Sequence, residues 1–244
     1  MRRIISLLVL LTFLYNGQAS ATNSKPVSIT AKSWLVADGK GKILDGSNTN
    51  QQRSIASITK LITAMVILDA KQDLDEYIKP YTRREMIQLA LVKSDNQSSL
   101  DLCKHYPGGT ALCVQAMNKR VKSLGLTKTH FVESSGLSVM NVSTAEELVT
   151  IVMEAAKYPE IILASRTSEV KIKIRKKWFI FHNTNPIIGK RHDFVVSKTG
   201  FINASGGCIV IMMDTEIGRR IVVVLGSKNT HTRTPEAEFI ATNF

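Results

Sequence analysis

Strand-like segments stand at both ends of this chain and helix-like segments fill its middle, so any sheet it forms must be assembled from the two ends. Ser33 to Val36 and Lys42 to Leu44 flank the turn-rich Asp38-Gly39-Lys40-Gly41, which predicts a hairpin with a longer loop. From Ser54 to Ala70, Ile58, Leu61, Ile62, Met65 and Leu68 recur at helical spacing. Further helices are expected over Arg83 to Val92, Ser98 to His105 and about Ala111 to Leu124, the last stopped by Gly125. Thr144-Ala145-Glu146-Glu147 reads as a capping box opening an apolar helix through Lys157. Val170 to Ile174 then alternates apolar and basic residues, and Asp193 to Phe201, Gly207 to Met213 and Arg220 to Leu225 are strand candidates. A short helix is expected over Pro235 to Ile240. The expected class is α+β: an antiparallel sheet with helices packed against it and beside it.

The N-terminus reads as an export signal. Arg2 and Arg3 precede an apolar run, Ile4 to Leu14, and Ala19-Ser20-Ala21 fits a small-x-small cleavage site. The run has 11 residues, against the ~20 of a membrane span. Cleavage near Ala21 predicts one domain over residues 22–244, outside the cytoplasm and without a transmembrane anchor. Losing the two arginines takes the formal charge from +12 to +10. Such a balance favours anionic partners, and export leaves a carboxylate-bearing cell wall as a better partner than nucleic acid.

Cys103, Cys113 and Cys208 are an odd count with no zinc spacing. Cys103 and Cys113 flank Tyr106-Pro107-Gly108-Gly109, a turn that allows a disulfide without requiring one. Cys208 lies in an apolar run and reads as a buried thiol. The histidines show no metal spacing, so neither metal nor cofactor is expected. Lys171, Lys173 and Arg175 share one strand face, which suits either an acidic glycan-peptide or plain solvent.

Three short motifs carry the chemistry: Ser57-Ile58-Thr59-Lys60, Ser94-Asp95-Asn96 and Lys198-Thr199-Gly200. Each is weak alone, but the first opens an apolar helix, the second sits on a turn between helices and the third lies on a strand. Residues three apart on a helix share a face, so Lys60 can reach the Ser57 hydroxyl. It can take that proton only when neutral, with its pKa lowered towards 7 or 8 by burial and by the like charge of Lys198. Ser94 is the expected relay between Lys60 and a leaving nitrogen, and Asn96 a partner for substrate backbone or for Lys60. Lys198 and Thr199 offer a charge and a hydroxyl to a carboxylate, and Gly200 permits close approach to the strand. Backbone N–H groups of Ser57 and Phe201 are the expected oxyanion donors.

On these motifs, with Leu91-Val92-Lys93 before the second, Asn141-Val142-Ser143-Thr144-Ala145 and His182-Asn183-Thr184-Asn185, the sequence resembles the low-molecular-mass penicillin-binding proteins. These are D-alanyl-D-alanine peptidases of the serine S11 type, and the likeness runs from about Ser33 to Gly226. Within them it is most similar to the endopeptidases that cut cross-links between peptidoglycan stem peptides. The resemblance implies a β-lactamase/transpeptidase-like fold with a helical subdomain, an acyl-enzyme on Ser57, and inhibition by β-lactam antibiotics. Only 44 residues follow Gly200, where many of the carboxypeptidases carry a β-rich domain and an amphipathic anchor; a soluble enzyme is therefore expected. Terminal D-alanine removal is the alternative activity, and β-lactamase or a non-catalytic wall-binding module are more distant ones.

Overall fold

The computed structural model describes residues 27–190 and 193–244; the expected signal segment and its cleavage site lie outside the described residues. Strands β1 (Ser33–Asp38), β2 (Ile43–Ser47), β9 (Phe194–Ile202), β10 (Gly206–Thr215) and β11 (Gly218–Ser227) form one antiparallel sheet, in the order β2-β1-β11-β10-β9. The two chain ends thus meet where β1 pairs with β11, Leu35 opposite Val223 and Ala37 opposite Ile221.

The central strands read as continuous apolar runs because both faces of the sheet are covered. Leu35, Ala37, Val210, Met212, Val223 and Leu225 face a helical layer. Their alternates Val36, Ile209, Ile211, Val222 and Val224 face the C-terminal helix α7 (Arg233–Asn243) through Ala237, Ile240 and Ala241. In the helical layer α1 (Lys60–Asp69) is buried along nearly its whole length, as an all-round apolar helix must be. Packed around it are α2 (Arg83–Val92), α3 (Asn96–Lys104), α4 (Gly109–Ser123) and α5 (Ala145–Ala155). Two short ribbons complete this layer: β3 (Arg53–Ser54) with β6 (Val142–Ser143), and β4 (Tyr77–Ile78) with β5 (Tyr81–Thr82). Among the described residues no helix is long and apolar enough to cross a membrane.

Several expectations need correcting. The helix expected from Ser54 begins later: Ser54 is strand, Ala56–Thr59 is a 3-10 turn, and α1 starts at Lys60. Helix α6 (Pro159–Arg166) was not anticipated, although Pro159 stands at its first turn, where a missing N–H costs nothing. Strand β7 (Glu169–Ile174) pairs with an unanticipated β8 (Lys177–His182) in a separate hairpin packed on α2. The Thr144 hydroxyl does accept from Glu147 N, but the Glu147 carboxylate turns away to Thr127 N, Lys128 N and Thr129 Oγ1. The reciprocal capping box is at Thr82 and Glu85 instead.

Cys103 on α3 and Cys113 on α4 form a disulfide with Cα atoms 5.3 Å apart, and Cys208 is a buried free thiol. Closing a loop of 10 residues stabilises the folded state by about 2–3 kcal/mol in the chain-entropy account. A Cys103→Ala, Cys113→Ala protein is predicted to lose about that much in urea unfolding. An unchanged midpoint would mean that α3 and α4 hold each other by packing alone.

Candidate active site

The first motif owes its position to a strained entry. After β3 the chain passes Ile55 and reaches Ala56 at φ +46°, a left-handed conformation unfavourable for a residue with a Cβ. Two glycines clamp this point: a Cβ on Gly136 would lie 2.0 Å from Ala56 O, and one on Gly200 would lie 2.9 Å from Ser57 N. The 3-10 turn that follows has three residues per turn, so Ser57 and Lys60 eclipse one another more closely than an α-helix would place them. Lys60 Nζ lies 2.8 Å from Ser57 Oγ.

Lys60 is fully buried. Its three contacts come from three separate segments: Ser57 Oγ, Asn96 Oδ1 at 2.8 Å and Ser135 O at 2.5 Å. Burial pulls its pKa down to about 7, against the opposing pull of Glu133 and Asp95. An ammonium donates to all three partners; the neutral amine donates to two and turns its lone pair on the third. The second motif supplies Asn96 as the first residue of α3 and Asp95 as its N-cap, with Asp95 Oδ1 accepting from Ser98 N. Ser94 precedes them at φ +61°.

Lys198 on β9 is buried as well, and donates to Ser94 Oγ and to Thr199 O, each at 2.9 Å. Its pKa is well below the ordinary lysine value, through burial first, then repulsion from Lys60 and Arg233. Two expectations change here. Desolvation lowers the Lys60 pKa as expected, but the charge of Lys198 is not among the causes of the shift. Ser94 is bonded to Lys198, not to Lys60.

A cleft of about 210 Å3 runs beside these groups, lined by Ser57, Ser94, Asn96, Thr199, Gly200 and Phe201 together with Thr184, Thr230 and Arg233. All the motif residues expected at a site therefore converge, with Lys60 and Lys198 behind its wall. Phe201 is 42% exposed at the rim. β9 is the edge strand of the sheet, so one row of its backbone groups has no strand partner.

Sequence reasoning missed four contributors. Arg233, at the start of α7, donates from Nη1 to Gly200 O at 2.8 Å, while its buried Nε has no partner. Thr184 Oγ1 is 2.5 Å from Thr199 Oγ1. His182, two residues before Thr184, points outward with its ring 3.6 Å from the Glu169 carboxylate. The other two are Ser135 and Glu133, on the loop that offers Lys60 its carbonyl. Glu133 accepts from Ser135 N, Gly136 N and Asn141 Nδ2, and Asn141 Nδ2 also reaches Thr59 Oγ1. Its carboxylate is thereby occupied in holding the loop. Among the described residues no three His, Cys, Asp or Glu side chains are grouped to hold a metal.

Asp95 raises the Lys60 pKa through space, so Asp95→Asn, which keeps a good N-cap, is predicted to move it further down. In carbon NMR of lysine-labelled protein, one resonance should titrate near pH 7 and shift to lower pH in the variant. Titration of every lysine near pH 10 would contradict the geometry described.

A family profile for the D-alanyl-D-alanine carboxypeptidases, peptidase S11, matches residues 19–79 and 74–229. A D-alanyl-D-alanine endopeptidase of Escherichia coli is 34% identical over 92% of this chain and 80% of its own. One from Pseudomonas aeruginosa is 35% identical over 96% and 86% respectively. Penicillin-binding protein D2 of Listeria monocytogenes, solved in its ampicillin-bound form, superposes with a TM-score of 0.76 at 24% identity, over 88% of this chain and 97% of that one. The strand-helix-strand order, the convergent motifs and these likenesses agree: the chain belongs to the peptidase S11 family.

Proposed function

We propose that this chain is a serine D-alanyl-D-alanine endopeptidase that hydrolyses peptide cross-links of peptidoglycan through an acyl-enzyme on Ser57. The observation that carries the reading is a buried lysine of pKa about 7, 2.8 Å from a serine hydroxyl that opens onto a cleft. At that pKa a large fraction of Lys60 is neutral at physiological pH and takes the Ser57 proton as Oγ attacks the D-alanyl carbonyl. Backbone N–H groups of Ser57 and Phe201 receive the developing oxyanion. The carbon–nitrogen bond then breaks, and the leaving amine takes up a proton from Lys60 or through Ser94. Water, deprotonated by Lys60, attacks the ester and restores Ser57.

A D-centred leaving group keeps a free carboxylate beside its amine. Arg233 and the Thr199 hydroxyl, which line the cleft, are the groups for it. Lys198 is not among the residues lining the cleft and acts by holding Ser94. Asn96 holds Lys60 and lines the cleft, and Gly200 lets substrate lie along β9. β-Lactams are the expected inhibitors, since they present a strained amide to the same serine; the Listeria protein holds ampicillin. We infer a periplasmic location for a single catalytic unit over residues 22–244, supported by the signal-like N-terminus and by a disulfide of the kind that oxidising compartments allow.

The carboxypeptidase name of the family profile favours a second reading, the same chemistry on a terminal D-alanine. Cross-linked peptide dimers and uncross-linked pentapeptides incubated side by side separate the two. The native chain is predicted to convert dimers to monomers, and Ser57→Ala to lose about a thousandfold or more in rate. Release of terminal D-alanine with the dimers left intact would establish the carboxypeptidase instead.

A further inference from the structure

The β7–β8 hairpin presents an outward face that neither the core nor the cleft uses. In its register Val170 and Ile172 point inward and are buried, whereas Lys173 pairs with Trp178, and Lys171 with Ile180, on the outward side. Trp178 is 67% and Ile180 51% exposed, an unusual loss of apolar burial for a strand in a chain of this size. The Lys173 ammonium stands 5.9 Å from the Trp178 ring centroid. Lys171, Lys173, Arg175, Lys176 and Lys177 give the hairpin five cations against the single carboxylate of Glu169, which is already engaged by Lys171 and faces His182.

We propose that this face is an exosite for the glycan–peptide polymer, with Trp178 stacking on a sugar ring and Lys171 and Lys173 meeting free stem-peptide carboxylates. Three observations carry it. An aromatic face carries negative quadrupole and attracts the positive C–H edges of a pyranose, and a flat exposed indole is the platform for that contact. The charge is complementary to a polymer that repeats carboxylates. The hairpin also leads into the cleft wall: Thr184, which lines the cleft, follows Trp178 by six residues, so the two lie no more than about 20 Å apart. A four-residue stem spans about 14 Å when extended, and the glycan it hangs from extends the reach of the bound polymer past that distance.

A lipid surface fits less well. A membrane-inserting patch gathers its apolar side chains in the middle and its cations at the rim. Here each outward apolar residue is paired across the ribbon with a lysine.

The exosite rests on the reading of peptidoglycan as substrate, and its test separates the two. Trp178→Ala and a Lys171→Gln, Lys173→Gln protein are compared with the native chain on insoluble peptidoglycan, on sugar-free cross-linked peptides and on anionic phospholipid vesicles. Each variant is expected to pellet with peptidoglycan, and to cleave it, at least about fivefold less well. Cleavage of the sugar-free peptides by Trp178→Ala, and the rate of acylation by penicillin in both variants, should be unchanged. Unaltered pelleting would overturn the proposal, and so would an equal loss of Trp178→Ala on the sugar-free peptides, which would mean that the hairpin merely supports Thr184. Loss of vesicle binding with pelleting intact would also overturn it, in favour of a membrane surface. Pelleting needs no turnover, so a chain that cleaves nothing but still loses it in Trp178→Ala keeps the exosite and removes the hydrolase.

Discussion

Everything at this site depends on keeping the Lys60 amine out of water. Moving a lysine pKa from 10.5 to about 7 corresponds to roughly 5 kcal/mol of unfavourable desolvation at neutral pH. The sign is fixed by linkage. Because the folded-state value is the lower one, the unfolded chain binds more protons between about pH 7 and 10, and stability rises with pH through that window. Lys198, buried nearby and shifted in the same direction, adds to it. The helical layer and the sheet supply the opposing stability, since α1 carries Lys60 through the centre of the apolar core.

A buried amine is useful only if its partners are fixed, and the three partners of Lys60 are fixed by different means. Ser57 is placed by the left-handed Ala56 and the glycines that clamp it. Asn96 is placed by the Asp95 cap of α3. The Ser135 carbonyl is placed by a loop whose N–H groups converge on Glu133 and whose far end is tied to Thr59 through Asn141. Of the strained residues, Ala56 precedes Ser57 and Ser94 is itself the second serine of the cleft, which is where conformational strain is commonly held.

The periodicities of the sequence were enough to recover the sheet and most helices, because strands buried on both faces and amphipathic helices leave clear marks. β8 escaped because Trp178 and Ile180 face outward while Phe179 and Phe181 face the other way, so its run shows no alternation. The early start assigned to the first helix failed at Ala56, whose left-handed backbone no residue preference announces. At the site, the motif residues were legible because side chains of fixed chemistry recur at fixed spacing. Arg233 was not, since it lies 176 positions from Ser57 with no spacing to mark it. Ser135 was invisible for a different reason: it acts through a backbone carbonyl, which any residue has.

The central claim is that Ser57 is the nucleophile and Lys60 its base, and intact-protein mass spectrometry after brief exposure to penicillin, repeated across pH, tests it most directly. The account predicts one covalent adduct on the native chain and none on Ser57→Ala, with a formation rate that rises through about pH 7 as Lys60 loses its proton. An adduct on the Ser57→Ala chain, or a rate that rises only near pH 10, would contradict it.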